Sequence, residues 1–260
     1  MLQNVGHEIS SEDRYAMARS LPTLLLLLAP CVYTLRANVA SRATLSASRN
    51  RQIEALATTA PATTEPAITG PPTPALRIGH GYDIHRMSSR EEAGQPVVIS
   101  GVTFDGSDAP DFELGCVAHS DGDVVYHSVV DAILGALTMP DIGQLFPDND
   151  PRLRGANSEI FMTEAYSRMR QRGYLIGNVD VTLICQKPRV NVMHEGNQVK
   201  ELMMNNLVRL LQTDSGRVNV KARTHEKVDS VGECRAIECH VVMVLEVSSE
   251  LYCSLLSRWH

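Results

Sequence analysis

A long stretch of low complexity divides this chain. Residues 57–75 read ATTAPATTEPAITGPPTPA, which consists almost entirely of Thr, Ala and Pro. Such a segment buries too little apolar surface to offset the entropy lost on ordering, so it predicts a disordered linker. We expect the folded part of the 260-residue chain to begin near Leu76 and to span 76–260, which is long enough for one sizeable core.

The segments before the folded part are typical of a targeting sequence. Residues 21–29 read LPTLLLLLA, an apolar run too short to span a bilayer but suited to the core of a signal peptide. A short surface-bound or buried helix is the alternative. From Arg36 onward, arginines lie among Ser, Thr and Ala with few acids, which is transit-peptide composition. We therefore predict a signal-like segment at 1–35 and a transit-like and linker segment at 36–75. Together they indicate a plastid reached through the secretory route (an apicoplast or other secondary plastid), with no stable membrane insertion of the mature protein.

Charge and cysteine content exclude several classes of function. The formal net charge is -6, so the sequence does not predict a broad basic surface for nucleic acid. None of the six cysteines forms a C-x-x-C pair, which argues against a zinc ribbon or a thioredoxin-type site.

Strand and helix patterns alternate along 76–260, which predicts an α/β or α+β fold with one layer of helices on a sheet. The predicted strands are Leu76–His85, Val97–Phe104, Val179–Cys185, Val218–Ala222 and Ile237–Val247. The predicted helices are Ser120–Leu137, Asn157–Arg172 and Val192–Leu211. Ser120 is the expected N-cap of the first helix, whose free N–H groups would then face an anion. Gly79 and Gly81 in the first strand predict a close backbone approach or a bulge.

Three residues suggest a metal site. Asp83 and His85 are two apart in a predicted strand and so point to the same face, and His127 lies in the following helix. Two imidazoles and one carboxylate fit a catalytic zinc site with an open fourth position. Asp123 and Asp131, four residues on either side of His127, could each accept its second ring N–H. On spacing alone, an ordinary strand histidine and an ordinary helix-surface histidine remain the simpler interpretation.

Five segments in order resemble the 2-C-methyl-D-erythritol 2,4-cyclodiphosphate synthase family. They are RIGHGYDIH at 77–85, AHSDGDVVYH at 118–127, DIGQLFPD at 141–148, GNVDVTLICQKP at 177–188 and VNVKARTHEK at 218–227. The resemblance covers the chain from Leu76 to about Val247. It implies an α+β subunit with a mixed sheet and helices on one face, assembled as a homotrimer with active sites between neighbouring subunits.

The resemblance also implies a reaction. The 2-phosphate of 4-diphosphocytidyl-2-C-methyl-D-erythritol 2-phosphate would attack the β-phosphorus of the diphosphate, which gives the cyclic diphosphate and CMP in the non-mevalonate isoprenoid pathway. Because nucleophile and leaving group share one molecule, positioning replaces a bimolecular encounter. Metal ions would neutralise the charge of the approaching phosphates.

The family's site residues carry over to this numbering. Zinc falls to Asp83, His85 and His127, and a second ion, magnesium or manganese, falls to Glu226. The residues implied in catalysis are Asp83, His85, His119, Thr224 and Glu226. The residues implied in substrate binding are His119, Ser120, Asp123, Asp131, Asp141, Ile142, Gly143, Phe146, Asp148, Cys185, Lys187, Pro188, Arg189, Ala222, Arg223 and Thr224. Those of 185–189 and 222–224 match the cytidine pocket contributed by the neighbouring subunit.

Departures from the family pattern leave alternatives open. Arg223 and His225 replace threonines, and the family arginine that lines the central cavity of the trimer falls on Glu233, two residues before Arg235. A catalytically altered zinc-binding relative is therefore the main alternative. A metal-dependent phosphohydrolase that uses water, and a metal-independent scaffold, are the others.

Overall fold

The computed structural model describes residues 74–147 and 149–249, which lie in one compact unit. The predicted signal-like segment, and the transit-like and linker segment up to residue 73, lie outside the described residues. The strands are β1 Leu76–Ser89, β2 Val98–Ile99, β3 Val102–Thr103, β4 Leu114–Val117, β5 Tyr174–Ile184, β6 Met193–His194, β7 Asn197–Gln198, β8 Val218–Arg223 and β9 Ala236–Val247. The α-helices are α1 Arg90–Ala93, α2 Val124–Ala136, α3 Ile142–Leu145, α4 Glu159–Gln171 and α5 Val199–Leu211. Short 3-10 helices span Pro151–Leu153 and Ser215–Arg217.

Five strands form the main sheet, in the order β4-β1-β9-β5-β8. β5 and β8 are parallel, whereas every other neighbouring pair is antiparallel, so the sheet is mixed. The long helices α2, α4 and α5 contact one another or the sheet, and alternate strand residues are buried beneath them. The predicted α+β class with a mixed sheet and one helical layer is confirmed.

Two glycines place α2 directly on β1. A Cβ atom on Gly79 would lie 1.8 Å from the carbonyl oxygen of Ala132, and one on Gly81 would lie 1.8 Å from that of Ser128. No side chain fits between these backbones, so the glycines permit the close approach that the sequence predicted. As a result, the first turns of α2 lie beside Asp83 and His85, which follow the glycines on the same face of β1.

The opposite face of the sheet is open and partly apolar in the single chain. Ile78 is 74% exposed, Tyr82 44% and Ile84 43%, all on the alternate face of β1, and Val242 of β9 is 47% exposed. His80 and His240 lie beside them, with 3.3 Å between His80 Nε2 and His240 Nδ1. Neighbouring large apolar side chains exposed on one sheet face are typical of a surface that another protein covers.

The structure corrects two predicted elements. The strand expected over Val97–Phe104 is the hairpin β2–β3, because Ser100 and Gly101 have positive φ values of 52° and 72° and reverse the chain. The helix expected from Val192 begins only at Val199, because the hairpin β6–β7 turns through Glu195 and Gly196, which also have positive φ. Strand β4, next to β1, was not predicted.

The start of α2 also differs from the prediction. Asp123 caps the helix, and its carboxylate accepts hydrogen bonds from the N–H groups of Val125 and Tyr126. Ser120 is therefore not the N-cap, and these first-turn N–H groups are not free for an anion. Along the described part of the chain, no helix combines the length and apolar character needed to cross a membrane.

Candidate metal centre and active site

The three predicted metal ligands meet at one point. Asp83 Oδ2 lies 3.1 Å from His85 Nε2 and 3.0 Å from His127 Nδ1, and the two nitrogens are 3.1 Å apart. Strand alternation aims Asp83 and His85 at the helical layer, and α2 brings His127 onto them. Within the described part of the chain, these three side chains form the group of acidic, imidazole or thiol residues whose ligand atoms lie close enough together to bind one ion.

The triangle fits a tetrahedral metal ion. Zinc binds imidazole nitrogen and carboxylate oxygen at about 2.0–2.2 Å, which puts tetrahedral ligand atoms about 3.3 Å apart. The observed edges of 3.0–3.1 Å need an expansion of only a few tenths of an ångström. Two nitrogens and one oxygen form the donor set of a catalytic zinc site, with the fourth position left to a substrate atom or water.

Contacts within the triangle shift the proton affinities of its members. Burial raises the pKa of Asp83, but the hydrogen bonds from His127 and His85 and their charges outweigh it and hold the pKa far below its usual range. Burial lowers the pKa of His127, but the hydrogen bond and charge of Asp83 and the charges of Asp123 and Asp121 raise it above its ordinary value. Before an ion binds, a proton therefore competes for the His127 ring more strongly than it would for an ordinary histidine.

A cavity of about 510 Å³ opens at the metal triangle. Its predicted lining residues are Asp83, His85, His119, Ser120, His127, Ile142, Gly143 and Phe146, and the unpredicted ones are Val117, Ala118, Pro147, Leu153 and Phe161. The ring centroids of Phe146 and Phe161 are 4.7 Å apart, so one wall is apolar. The structure thus assembles a metal centre, an exposed imidazole at His119 and an apolar wall around one volume.

The loop at 141–147 is held from two sides. Asp141 caps α3 by accepting a hydrogen bond from the N–H of Gln144, and Asp131 of α2 accepts one from the N–H of Ile142 at 2.8 Å. Asp131 therefore anchors the loop that carries Ile142 and Gly143. Neither aspartate lines the cavity of the single chain. Asp148 lies outside the described residues.

The two acids expected to orient His127 do not contact its ring. Asp123 is fully buried, and its carboxylate accepts hydrogen bonds from the N–H groups of Ser100, Gly101, Val125 and Tyr126. These four bonds join the β2–β3 turn to the start of α2. Asp123 is thus a structural anchor and does not line the cavity.

The partners of His127 Nε2 are instead two serines. Ser158 Oγ lies 2.9 Å from Nε2 and Ser120 Oγ lies 3.2 Å from it. Ser158 is completely buried at the start of α4, and its hydroxyl contacts Asp121 Oδ1 at 2.5 Å. Sequence reasoning missed Ser158 and Asp121, because their link to His127 depends on how α4 packs. The only sequence signal was their place, Ser158 near a predicted helix start and Asp121 in the HSDGD segment.

The remaining predicted residues gather elsewhere, at the ends of the parallel strands β5 and β8. Cys185 follows β5, and its N–H donates to the carbonyl of Arg223 at 2.9 Å, which brings the segments 185–189 and 222–226 together. Lys187 and Arg189 are exposed there, and the Lys187–Pro188 peptide bond is cis. Thr224 Oγ1 is hydrogen-bonded to Glu226 Oε1. None of these residues lines the cavity at the metal triangle.

The positions that depart from the family pattern have local partners. His225 Nδ1 lies 2.8 Å from Asp229 Oδ2, and its Nε2 lies 3.5 Å from Glu238 on the open face of the sheet. Arg235 pairs with Glu233 at 2.7 Å, and both side chains are exposed. The exchange of charge around position 233 therefore yields an ion pair within the chain.

The chain is similar in sequence to known proteins. The sequence model of the YgbB family matches residues 76–246. The chain is 50% identical over 184 residues to the chloroplastic 2-C-methyl-D-erythritol 2,4-cyclodiphosphate synthase of Oryza sativa. The matched region covers 70% of this chain and 76% of that protein. It is 44% identical to the synthase of the same name from Proteus mirabilis over 65% of this chain and 96% of that protein.

A solved structure shares the fold. IspF from Plasmodium falciparum in complex with CDP superposes with a TM-score of 0.56 at 35% identity, over 68% of this chain and 100% of that one. The family match covers more than half of the chain and includes every described residue discussed above as a ligand or lining residue. The chain therefore belongs to the YgbB family.

Proposed function

We propose that the chain converts 4-diphosphocytidyl-2-C-methyl-D-erythritol 2-phosphate to 2-C-methyl-D-erythritol 2,4-cyclodiphosphate and CMP. The observation that carries the proposal is the triangle of Asp83, His85 and His127 at the mouth of a cavity of about 510 Å³. Relatives that bear the name of this synthase, at up to 50% identity, support it.

Asp83, His85 and His127 would hold zinc, which supplies positive charge that polarises a phosphoryl oxygen. The protein positions the two reacting ends of one substrate, so that the 2-phosphate oxygen attacks the β-phosphorus in line with the departing CMP oxygen. One P–O bond forms and one breaks, and CMP carries away the electron pair. His119 and Ser120, on the cavity wall beside the triangle, are placed to bind the phosphate and erythritol region.

The segment 141–148 completes the erythritol side of the proposed site. Ile142, Gly143 and Phe146 line the cavity, and Asp131 anchors this loop through the N–H of Ile142. The paired rings of Phe146 and Phe161 exclude water from one side, which strengthens the polar contacts on the other. Asp141 and Asp148 are proposed to bind the erythritol hydroxyls.

The cluster at the ends of β5 and β8 is the proposed nucleotide site, with Cys185, Lys187, Pro188, Arg189, Ala222 and Arg223 around the cytidine. Thr224 and Glu226 would meet the diphosphate, and Glu226 would bind a second ion, magnesium or manganese, for which oxygen ligands are suited. Arg223 adds a guanidinium that can bind a phosphate oxygen.

The two clusters would complete one site only when copies of the chain assemble. Within one chain, His225 contacts Glu238 on the open face of the sheet, whereas Asp83 and His85 point to the helical face. The exposed apolar residues Ile78, Ile84 and Val242 offer a surface for assembly. We propose a homotrimer in which the nucleotide cluster of one copy adjoins the metal triangle of its neighbour.

We also propose a plastid location. The relatives from Oryza sativa, Arabidopsis thaliana and Catharanthus roseus are all named chloroplastic. Of the bipartite address proposed at 1–75, residues 1–73 lie outside the described residues.

Product analysis tests the reaction. The purified 260-residue chain is incubated with the diphosphocytidyl substrate, zinc and magnesium, and the products are identified by phosphorus NMR. We expect the cyclic diphosphate and CMP. A linear phosphate with CMP would instead indicate hydrolysis by water, and absence of turnover with zinc bound would indicate a catalytically altered relative.

Mixing two inactive variants tests the shared site. His127→Ala removes one residue of the metal triangle, and Glu226→Gln removes the proposed ligand of the second ion in the nucleotide cluster. Each variant alone should therefore be inactive. If sites combine clusters from two copies, random mixed assemblies regain about a quarter of the wild-type sites. If each chain carries a whole site, the mixture stays inactive, and the shared arrangement is wrong.

A further inference from the structure

The sequence pattern and the proposed function leave two polar groups without a role, the buried Ser158 and the half-buried Asp121. Ser158 is completely buried, and Asp121 accepts two hydrogen bonds from it: one from its backbone N–H to Oδ2 at 2.9 Å and one from its hydroxyl to Oδ1 at 2.5 Å. The hydroxyl in turn lies 2.9 Å from Nε2 of His127. The other nitrogen of that ring, Nδ1, belongs to the metal triangle.

We propose that Asp121 and Ser158 are positioning residues that fix the tautomer and ring orientation of the metal ligand His127. This inference rests on the proposed zinc site and goes beyond it by naming the groups that prepare the ligand.

The directions of the hydrogen bonds carry the argument. An ionised carboxylate can only accept, so the Ser158 hydroxyl must donate its single proton to Asp121. The Ser158 oxygen is then left with lone pairs toward His127 and can only accept from it. The proton of the neutral imidazole is therefore held on Nε2, and the lone pair of Nδ1 points to Asp83 and His85, where an ion would lie.

Ser120 does not replace this arrangement. Its oxygen is 3.2 Å from Nε2 of His127 and also accepts from the N–H of Gly122 at 3.2 Å. Both contacts are longer than the one between Ser158 and His127. The Asp121 carboxylate accepts hydrogen bonds from the Ser158 hydroxyl and from the N–H groups of Ser158 and Asp123. Asp121 therefore directs the proton of the Ser158 hydroxyl and not that of the Ser120 hydroxyl.

The experiment compares zinc affinity among variants of the 260-residue chain, measured by competition with a chromophoric chelator. Ser158→Ala removes the acceptor of the imidazole proton. Asp121→Asn keeps the shape of the side chain but removes the charge that directs the Ser158 hydroxyl. Loss of an outer-shell partner of a ligating histidine typically weakens metal binding about 10- to 100-fold, and we expect this range for both.

Two matched controls separate positioning from general loosening. Ser128 follows His127 in α2, and its hydroxyl is as buried as that of Ser158. This hydroxyl donates to the carbonyls of Val124 and Cys239 and does not contact the triangle, so Ser128→Ala removes a buried hydroxyl without changing the partners of His127. Asp105→Asn removes one negative charge from a carboxylate that, like Asp121, accepts from the N–H and the hydroxyl of a serine, here Ser107, and that does not line the cavity. We expect each to bind zinc within about threefold of the wild type, since neither contacts the His127 ring.

Cobalt substitution gives a second measurement that a purely structural role would not change. In the cobalt-loaded wild type, the shifted ring N–H proton of His127 should exchange slowly with water, and in Ser158→Ala it should exchange at least about tenfold faster. If Ser158→Ala does not fold, Asp121→Asn decides. Wild-type affinity in both variants would overturn the inference, as would equal losses in the controls. A wild-type chain that binds no zinc would overturn the proposed cofactor as well.

Discussion

The contact between β1 and α2 leaves no room for a side chain at Gly81, and a substitution there tests this packing. A methyl group at this position would lie 1.8 Å from the carbonyl oxygen of Ser128 and 2.9 Å from the N of Ala132. Both are backbone atoms, so no side chain can rotate away. To reach an ordinary contact of about 3.4 Å, the helix must retreat by about 1.5 Å, which separates well-packed elements.

The expected cost of Gly81→Ala follows from that displacement. Overpacking a core costs about 1–3 kcal/mol, and a clash between two backbones belongs at or above the upper end. For a domain of this size, 3 kcal/mol corresponds to a fall in Tm of about 6–12 °C. Zinc affinity should fall as well, because metal sites tolerate ligand shifts of only about 0.2 Å and α2 carries His127.

Gly135→Ala is the matched control. Gly135 lies in α2, and a methyl group there would have His80 O as its nearest neighbour, at 3.8 Å. Alanine in a helix is more stable than glycine by about 0.5–1 kcal/mol, so this variant should unfold at a higher urea concentration than the wild type. Urea unfolding of both variants, with and without zinc, measures the two effects. Equal stability of Gly81→Ala and the wild type would refute the direct packing of α2 on β1.

Other predictions concern the metal, the assembly and the domain boundary. His127→Ala should lose zinc and activity but retain its far-UV circular dichroism; retained activity would contradict the ligand assignment. Because the pKa of His127 is raised while that of Asp83 stays far below neutral, a proton competes with zinc for the His127 ring near neutral pH, whereas Asp83 stays ionised. Affinity should therefore fall at least about tenfold from pH 7.5 to pH 5.5, measured by chelator competition, and a flat profile would count against this. Ile78→Asp should dissociate the assembly in sedimentation velocity, whereas Met193→Asp, at a 64% exposed position on the β6–β7 hairpin, should not. A shortened chain of residues 76–260 should fold and contain the same helices as this part of the full-length chain. An insoluble product would place the boundary of the folded part elsewhere.

The convergence of Asp83 and His85 was predictable because it depends on short-range geometry. Alternation along one strand places Asp83 and His85 on the same face whatever the rest of the fold, and the glycines before them indicate where a helix can approach. On spacing alone both histidines remained ordinary residues, and the order of the family segments assigned them, with Asp83, to a metal site.

The orientation of His127 was not predictable in the same way. Residues four apart on a helix are neighbours, which favoured Asp123 and Asp131 as partners. The helix begins at Val124, however, so Asp123 is a cap whose carboxylate turns back to the backbone. The actual partner, Ser158, is 31 residues from His127 along the chain and reaches it only because α4 packs on α2. Spacing contains no information about such a contact.

The separation between the metal triangle and the cluster at the ends of β5 and β8 could not be predicted from the order of the segments along the chain. Segments 118–127 and 218–227 both carry family residues, which suggests one continuous pocket in one chain. The sheet order places β9 and β5 between β1 and β8, and β9 carries Glu238 on the face opposite Asp83. Because Glu238 contacts His225, the segment that contains Glu226 approaches the open face, while the metal triangle lies under the helices. In the proposed shared site, a substrate would touch the two clusters on different copies, so assembly and catalysis should fail together when the open face is charged.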